Sequence, residues 1–192
     1  MAVKRAKIIE ADDLRRIFKA IESESNQKTR DKTAVLFSIK AGLRASEIAG
    51  LRWDDVIKAN GQIDDMIHIG DHISKNGRAR EIPMHPELKA MLIKLRKERP
   101  NDEYIRYGDY KPTMTANAMT VWFKRFYKDK VGLTGCSSHS GRRTAITTMA
   151  RVANLHNASL RDVQLIAGHS NLSTTERYIE PSEGVRAMMA SL

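Results

Sequence analysis

The chain has 192 residues, with 33 Lys or Arg against 23 Asp or Glu, a formal net charge of +10 and a hydrophobic share of 41%. That mix belongs to a folded chain long enough to bury a core, not to a disordered tail. Its single cysteine, Cys136, excludes an internal disulfide framework and any cysteine-rich zinc module, and no run of about 18 apolar residues is present to span a membrane.

In chain order, the N-terminus turns acidic at Glu10, Asp12 and Asp13, where a secretory signal would need its apolar stretch. A cytoplasmic protein with an anionic partner is therefore expected. Leu14, Ile17, Phe18 and Ile21 fall at i, i+3, i+4 and i+7, which predicts a first helix with one apolar face. A second helix is predicted from about Thr29 to Lys40, ended by Gly42, and Ser46-Glu47-Ile48 opens a short third. Three short β-rich runs follow at 55–58, 66–69 and 79–82, separated by turn signals at Asn60-Gly61 and Asn76-Gly77. Lys75 is thus expected at or beside the tip of a β-hairpin.

Pro86 opens another helix, in which Leu88, Met91, Leu92 and Leu95 repeat at helical spacing until Pro100 stops it. The stretch Asn101–Thr113 reads as a loop, and helices are predicted at 115–130, 139–153 and 159–167. Ser173 with Glu176 reads as a capping box opening a last helix. The tail Pro181–Leu192 carries a further short helical pattern around Val185, Met188 and Met189. The expected product is an α+β domain, mainly α-helical with a small antiparallel three-stranded sheet. No internal boundary is expected within residues 1–192.

The positive excess is concentrated. Residues 75–99 hold eight Lys or Arg against three Glu, and residues 121–151 hold seven against one Asp. Two basic segments in an otherwise near-neutral chain point to a polyanion, with nucleic acid the first candidate. The histidines at 68, 72, 85, 139, 156 and 169 form no H-E-x-x-H, and no carboxylate cluster has two-metal spacing. His68 and His72 would share a face only on a helix, which Gly70 and the β pattern oppose.

Without a metal, charge on a transferring phosphoryl group must be met by Arg, Lys and His donors. Arg44 lies between two apolar helical segments, where burial calls for an anionic partner, either Glu47 or a bound phosphate. His139 and Arg142 stand at i and i+3 at the start of a predicted helix, whose N-terminus itself attracts phosphate. His169 precedes Tyr178 by nine residues in Gly168-His169-Ser170-Asn171-Leu172-Ser173-Thr174-Thr175-Glu176-Arg177-Tyr178.

The order Arg44, Lys75, His139-x-x-Arg142, His169, Tyr178 resembles the tyrosine recombinase (phage integrase) family over about residues 10–180. Its most specific marks here are Ala-Gly-Leu-Arg-x-Ser-Glu-Ile, His-x-x-Arg, Gly-His-Ser and Thr-Thr-x-x-Tyr. Two departures stand out: Ser140-Gly141 replaces the commoner pattern with Leu before the arginine, and the stretch from Arg142 to His169, including Val152–Asn157, is a few residues longer than usual.

The resemblance implies the DNA breaking-rejoining fold and a site-specific recombinase that passes through a 3′-phosphotyrosine intermediate, with no metal, ATP or other cofactor. Carried over by motif, Tyr178 is the nucleophile, His139 accepts its proton, and Arg44 and Arg142 grip the non-bridging oxygens. His169 adds a hydrogen bond, Lys75 protonates the leaving 5′-oxygen, and Glu47 orients Arg44. An unperturbed phenol titrates at about 10, so the nucleophile needs a base or a strong hydrogen-bond field. Lys75 is favoured over Arg78 and Arg80, which share its hairpin, by its Ser-Lys-Asn-Gly setting and titratable amine. DNA contacts are expected from Arg78, Arg80, Lys124, Arg125 and Arg143.

The implied partner is double-stranded DNA carrying a specific recombination site, bound by a tetramer, the free chain being a monomer or weak oligomer. The expected setting is the cytoplasm, at the nucleoid, in a bacterial or phage-encoded system. A catalytic domain alone is expected over residues 1–192, without a separate N-terminal core-binding domain. The competing reading is a non-catalytic DNA-binding or regulatory protein that keeps the recombinase fold.

Overall fold

The computed structural model describes every residue except 1–5, 75, 76, 78, 107, 109, 110, 112, 180–188 and 190–192. Lys75, Arg78 and, apart from Met189, the tail helix expected around Val185 and Met188 therefore lie outside the described residues. Contacts divide the chain into two compact units, Met1–Ala145 and Ile146–Leu192.

The first unit is built around a helix with almost no exposed face. Helix α1 (Ala11–Glu24) follows the predicted stripe, burying Ile17 and Ile21, with Asp12 and Asp13 in the first turn where the helix dipole favours negative charge. Helix α2 (Lys28–Lys40) buries Ala34, Val35, Leu36, Phe37 and Ile39 together with Thr29, Arg30, Asp31, Thr33 and Ser38. A helix covered on all sides sits in the middle of its unit, and α2 packs against α1, α3 (Ala45–Gly50) and α4 (Pro86–Glu98). Thr29 Oγ1 donates to Glu98 Oε1 at 2.8 Å, and Asp31 takes Arg30 at 3.0 Å and Arg106 at 3.1 Å, while Ser38 Oγ has no hydrogen-bond partner among the described residues. Pro86 stands at the start of α4, the His85 ring accepts the Glu87 N–H at 3.2 Å, and Leu88, Leu92 and Leu95 are buried. The proline and the three leucines follow the pattern predicted for that helix, with Met91 half-buried at its edge.

The sheet has two strands among the described residues, not three. β1 (Met66–Ile69) and β2 (Arg80–Pro83) pair antiparallel with Ile67 opposite Ile82 and Ile69 opposite Arg80. The run at 55–58 contributes a single bridge, Ile57 with Ile63. Two local events stop it from extending. Trp53–Asp55 is a 3₁₀ turn whose Asp55 carboxylate accepts the Arg52 N–H at 2.8 Å. The Asn60-Gly61 turn, with Gly61 at φ +81°, then reverses the chain immediately after Ile57. His68, on the strand face opposite Ile67 and Ile69, meets Glu81 at 3.1 Å, while His72 faces Asp55 at 3.9 Å. They make no shared pair.

Helix α5 (Ala116–Arg125) starts at Thr115, whose hydroxyl accepts the Ala118 N–H at 3.1 Å. It packs against α3 and continues as a π turn over Phe126–Lys130, with the Trp122 ring stacked on Phe126 at 5.1 Å. Helix α6 (Ser140–Val152) contains the boundary between the units.

The second unit holds α7 (Leu160–Ala167) and α8 (Leu172–Glu176) around a small core of Ile146, Ala153, Val163 and Ala167. The long stretch after α6 forms a 3₁₀ turn, Ala153–His156, closed by Asn157 in the left-handed region at φ 55°. The capping box of this unit is Ser159 with Asp162 rather than Ser173 with Glu176. Asn171 takes the extended cap conformation, so α8 begins at Leu172 and Ser173 falls inside its first turn. Among the described residues no helix is long and apolar enough to cross a membrane.

Candidate active site

In the first unit, α2 ends on Gly42 at φ +66°, and the Leu43 N–H reaches back to the Phe37 carbonyl at 3.1 Å. This turn delivers Arg44 to the start of α3. Its backbone N–H donates to Glu47 Oε2 and its guanidinium to Oε1, both at 2.8 Å. Arg80, from β2, donates to the same Oε2 at 3.0 Å. Arg80 was expected on a DNA-contacting face. Its side chain is instead only 9% exposed and is turned to a carboxylate with no exposure at all.

Burial pushes the Glu47 carboxyl up. The hydrogen bond and charge of Arg80, with those of Arg44, outweigh that and hold it below the ordinary value. Two guanidinium groups on one carboxylate leave the trio a net positive charge, and Arg44 retains 17% side-chain exposure.

Arg142 is buried and donates to the Gly42 carbonyl at 2.6 Å, two residues before Arg44 in the chain. Gly141 explains how. A Cβ there would run into Ser38 Oγ and lie 2.8 Å from Ser38 Cβ and 3.1 Å from Ile39 Cγ1, so only glycine lets the start of α6 press against α2. The departure Ser140-Gly141 is therefore a packing solution. Ser140 is buried and its hydroxyl accepts the Ser137 N–H at 3.0 Å, fixing the turn that leads into the helix. His139, just before α6, is exposed, with its N–H on Ser137 Oγ at 3.3 Å. Of the other basic residues expected to touch DNA, Lys124 and Arg125 are exposed on α5, while Arg143 donates to the Ala6 carbonyl at 2.9 Å.

In the second unit the Tyr178 phenol is half-buried, and its ring stacks on His169 with centroids 5.5 Å apart and planes 22° from parallel. The Tyr178 carbonyl accepts from Thr147 Oγ1 at 3.1 Å, which ties the end of α8 to α6 within this unit. His169 Nδ1 lies 2.9 Å from Thr175 Oγ1, and the Gln164 amide donates to the His169 carbonyl at 2.9 Å. Thr147, Thr175 and Gln164 are all buried. Sequence reasoning assigned none of the three a role, although Thr175 stands inside the Thr-Thr-x-x-Tyr motif. Tyr127 makes a contrast: fully enclosed, its phenol is pushed up by burial and is unsuited to ionisation.

The first unit thus offers a cationic cradle and the second a phenol beside an imidazole. Among the described residues no three His, Cys, Asp or Glu side chains lie close enough to hold a metal ion.

The sequence pattern of the phage integrase family matches residues 7–184. The chain belongs to that family. Tyrosine recombinase XerD of Shewanella oneidensis is 31% identical over 158 residues, covering 78% of this chain and 48% of that protein. Tyrosine recombinase XerC of Staphylococcus saprophyticus is 26% identical over 173 residues, covering 87% of this chain and 54% of that protein. The chain spans about half the length of these curated relatives. Among solved structures, the Tn1549 transposon integrase in complex with circular intermediate DNA matches at a TM-score of 0.75 and 20% identity, over 100% of this chain and 68% of that one. The XerA recombinase crystal structure matches at 0.74 and 19%, over 96% and 64%. These likenesses show the integrase fold, mainly helical with a small antiparallel sheet.

Proposed function

We propose that this member of the phage integrase family is a site-specific DNA recombinase and that residues 1–192 act as one catalytic domain. The observation that carries the reading is the Tyr178 phenol, half-buried and stacked on His169, at the position where the family motif has its nucleophile. A partner-binding surface alone has no need of a phenol and an imidazole held together in this way.

In the proposed reaction the Tyr178 oxygen attacks a backbone phosphorus in line, and its proton passes to His139. The bond from phosphorus to the 5′-oxygen breaks, Lys75 supplies a proton to that oxygen, and a 3′-phosphotyrosyl bond remains. Negative charge gathers on the non-bridging oxygens, where Arg44 and Arg142 serve as planar donors better suited than ammonium groups. Glu47 with Arg80 holds Arg44 in place. The phosphodiester energy is kept in the covalent bond, and a 5′-hydroxyl from a partner strand reverses the step, so the chemistry calls for neither metal nor ATP.

The substrate in this reading is double-stranded DNA with a specific site, a choice supported by the DNA bound to relatives of the same fold. Two rounds of exchange complete recombination within a DNA-bound tetramer, the free chain being a monomer or weak oligomer. The bacterial origin of both relatives supports action at the nucleoid. A pool of nicked duplexes with randomised sequence tests the proposal, because loss of the short 5′-hydroxyl fragment traps the covalent adduct. SDS-resistant DNA on the wild-type chain, absent with Tyr178→Phe, is the expected result. No adduct from any duplex in the pool contradicts it.

A further inference from the structure

The structure assigns to Thr175 a positioning role: its hydroxyl holds His169 in the tautomer that carries its proton on Nε2. This rests on the recombinase reading for its purpose, though not for its geometry. Thr175 is fully buried, and its Oγ1 has one hydrogen-bond partner among the described residues, His169 Nδ1 at 2.9 Å. If the hydroxyl accepted from Nδ1–H, its own hydrogen would be buried without an acceptor, an arrangement that costs free energy. If it donates to Nδ1, both groups are satisfied. The proton of the neutral ring then sits on Nε2.

The surroundings fix the rest of the residue independently. The His169 N–H donates to the Gln164 carbonyl at 3.1 Å, and Gln164 Nε2 donates to the His169 carbonyl at 2.9 Å. Arg161 donates to Gln164 Oε1 at 2.8 Å, which settles which end of that amide faces His169. Gly168, at φ +62°, makes the turn from α7 into this loop. With the backbone held by Gln164, the ring face by Tyr178 and Nδ1 by Thr175, the neutral ring of His169 carries its hydrogen on Nε2. Such a group can hydrogen-bond a phosphoryl oxygen beside the phenol without first taking up a proton, and it does not compete with His139 as the base.

The test reads the tautomer directly in the full chain without DNA, by long-range proton–nitrogen NMR on ¹⁵N-histidine-labelled protein above the titration range of imidazole. Wild type and Thr175→Ser are expected to show His169 protonated on Nε2, and Thr175→Val, nearly the same shape without the hydroxyl, a mixture of tautomers. Trapping of the covalent adduct should slow on the order of tenfold in Thr175→Val, the worth of one hydrogen bond, and return close to wild type in Thr175→Ser. A wild-type ring protonated on Nδ1, or a Thr175→Val ring still held wholly on Nε2, overturns the assignment. Failure of wild type to form any adduct would instead overturn the recombinase reading, because the tautomer is measured without reference to DNA.

Discussion

At Glu47, a carboxylate removed from solvent faces Arg44 at 2.8 Å and Arg80 at 3.0 Å. Its folded pKa lies below the ordinary value, since the two guanidinium groups outweigh the upward push of burial. The unfolded value is about 4.3. A group whose pKa falls on folding contributes stability that is fully present above the unfolded value and is lost as pH drops through the folded one. Glu47→Gln removes the charge and leaves Arg80 nearly buried without it. Its urea unfolding at pH 7 should show a loss of about 3 kcal/mol, the usual cost of breaking a buried ion pair by one partner. The gap should narrow once the pH falls below the unfolded value, because protonation of the unfolded carboxyl then begins to draw on the wild type. An equal gap at pH 7 and pH 3 contradicts this account of the trio.

Elements place these side chains, and at Gly141 the start of α6 lies against Ser38 of α2. Gly141→Ala puts a methyl group against Ser38 Oγ and, at 2.8 Å, against Ser38 Cβ, which moves only with the α2 backbone that carries it. Thermal unfolding should show a loss of about 1–3 kcal/mol, as overpacking usually brings. Ser38→Ala in the same chain should recover part of it, because neighbours in contact do not add independently. Full additivity of the two changes would mean that the helices do not meet there.

The helices were legible because their apolar residues recur at the helical period and their ends carry Gly42, Pro86 and Pro100. The third strand was not, because one bridging residue, Ile57, between a 3₁₀ turn and an Asn-Gly reversal looks the same in sequence as the first residue of a longer strand. Ser173-x-x-Glu176 has the letters of a capping box, but the cap belongs to whichever residue adopts the extended backbone, here Asn171. At the site, the motif residues were legible by type and order. Arg80 and Thr175 were not, because their partners, 33 and six residues away, are set by packing. Gly141 stood out in sequence as a departure, and only the nearness of Ser38 explains it.

Across the molecule, the two basic segments at 75–99 and 121–151 do different things. Part of their charge is spent inward, with Arg80 on Glu47, Arg142 on the Gly42 carbonyl and Arg143 on the Ala6 carbonyl. Part faces solvent, as at Lys124, Arg125 and Lys128. The outward part should govern affinity for DNA of any sequence, through release of condensed counterions. Fluorescence anisotropy across 50–200 mM salt should give a linear fall of log K with log salt, about 0.9 per phosphate neutralised. Lys124→Ala should lower the slope by about one such unit. A salt-independent affinity would show that the exposed charge does not meet phosphate.

The central claim, that Tyr178 carries DNA through a covalent step, is tested most directly by mass spectrometry of the adduct trapped on nicked duplexes. The account predicts a 3′-phosphate-linked nucleotide on the tryptic peptide containing Tyr178, formed equally in EDTA and lost in Tyr178→Phe. An adduct on another residue, or undiminished cleavage by Tyr178→Phe, would contradict it.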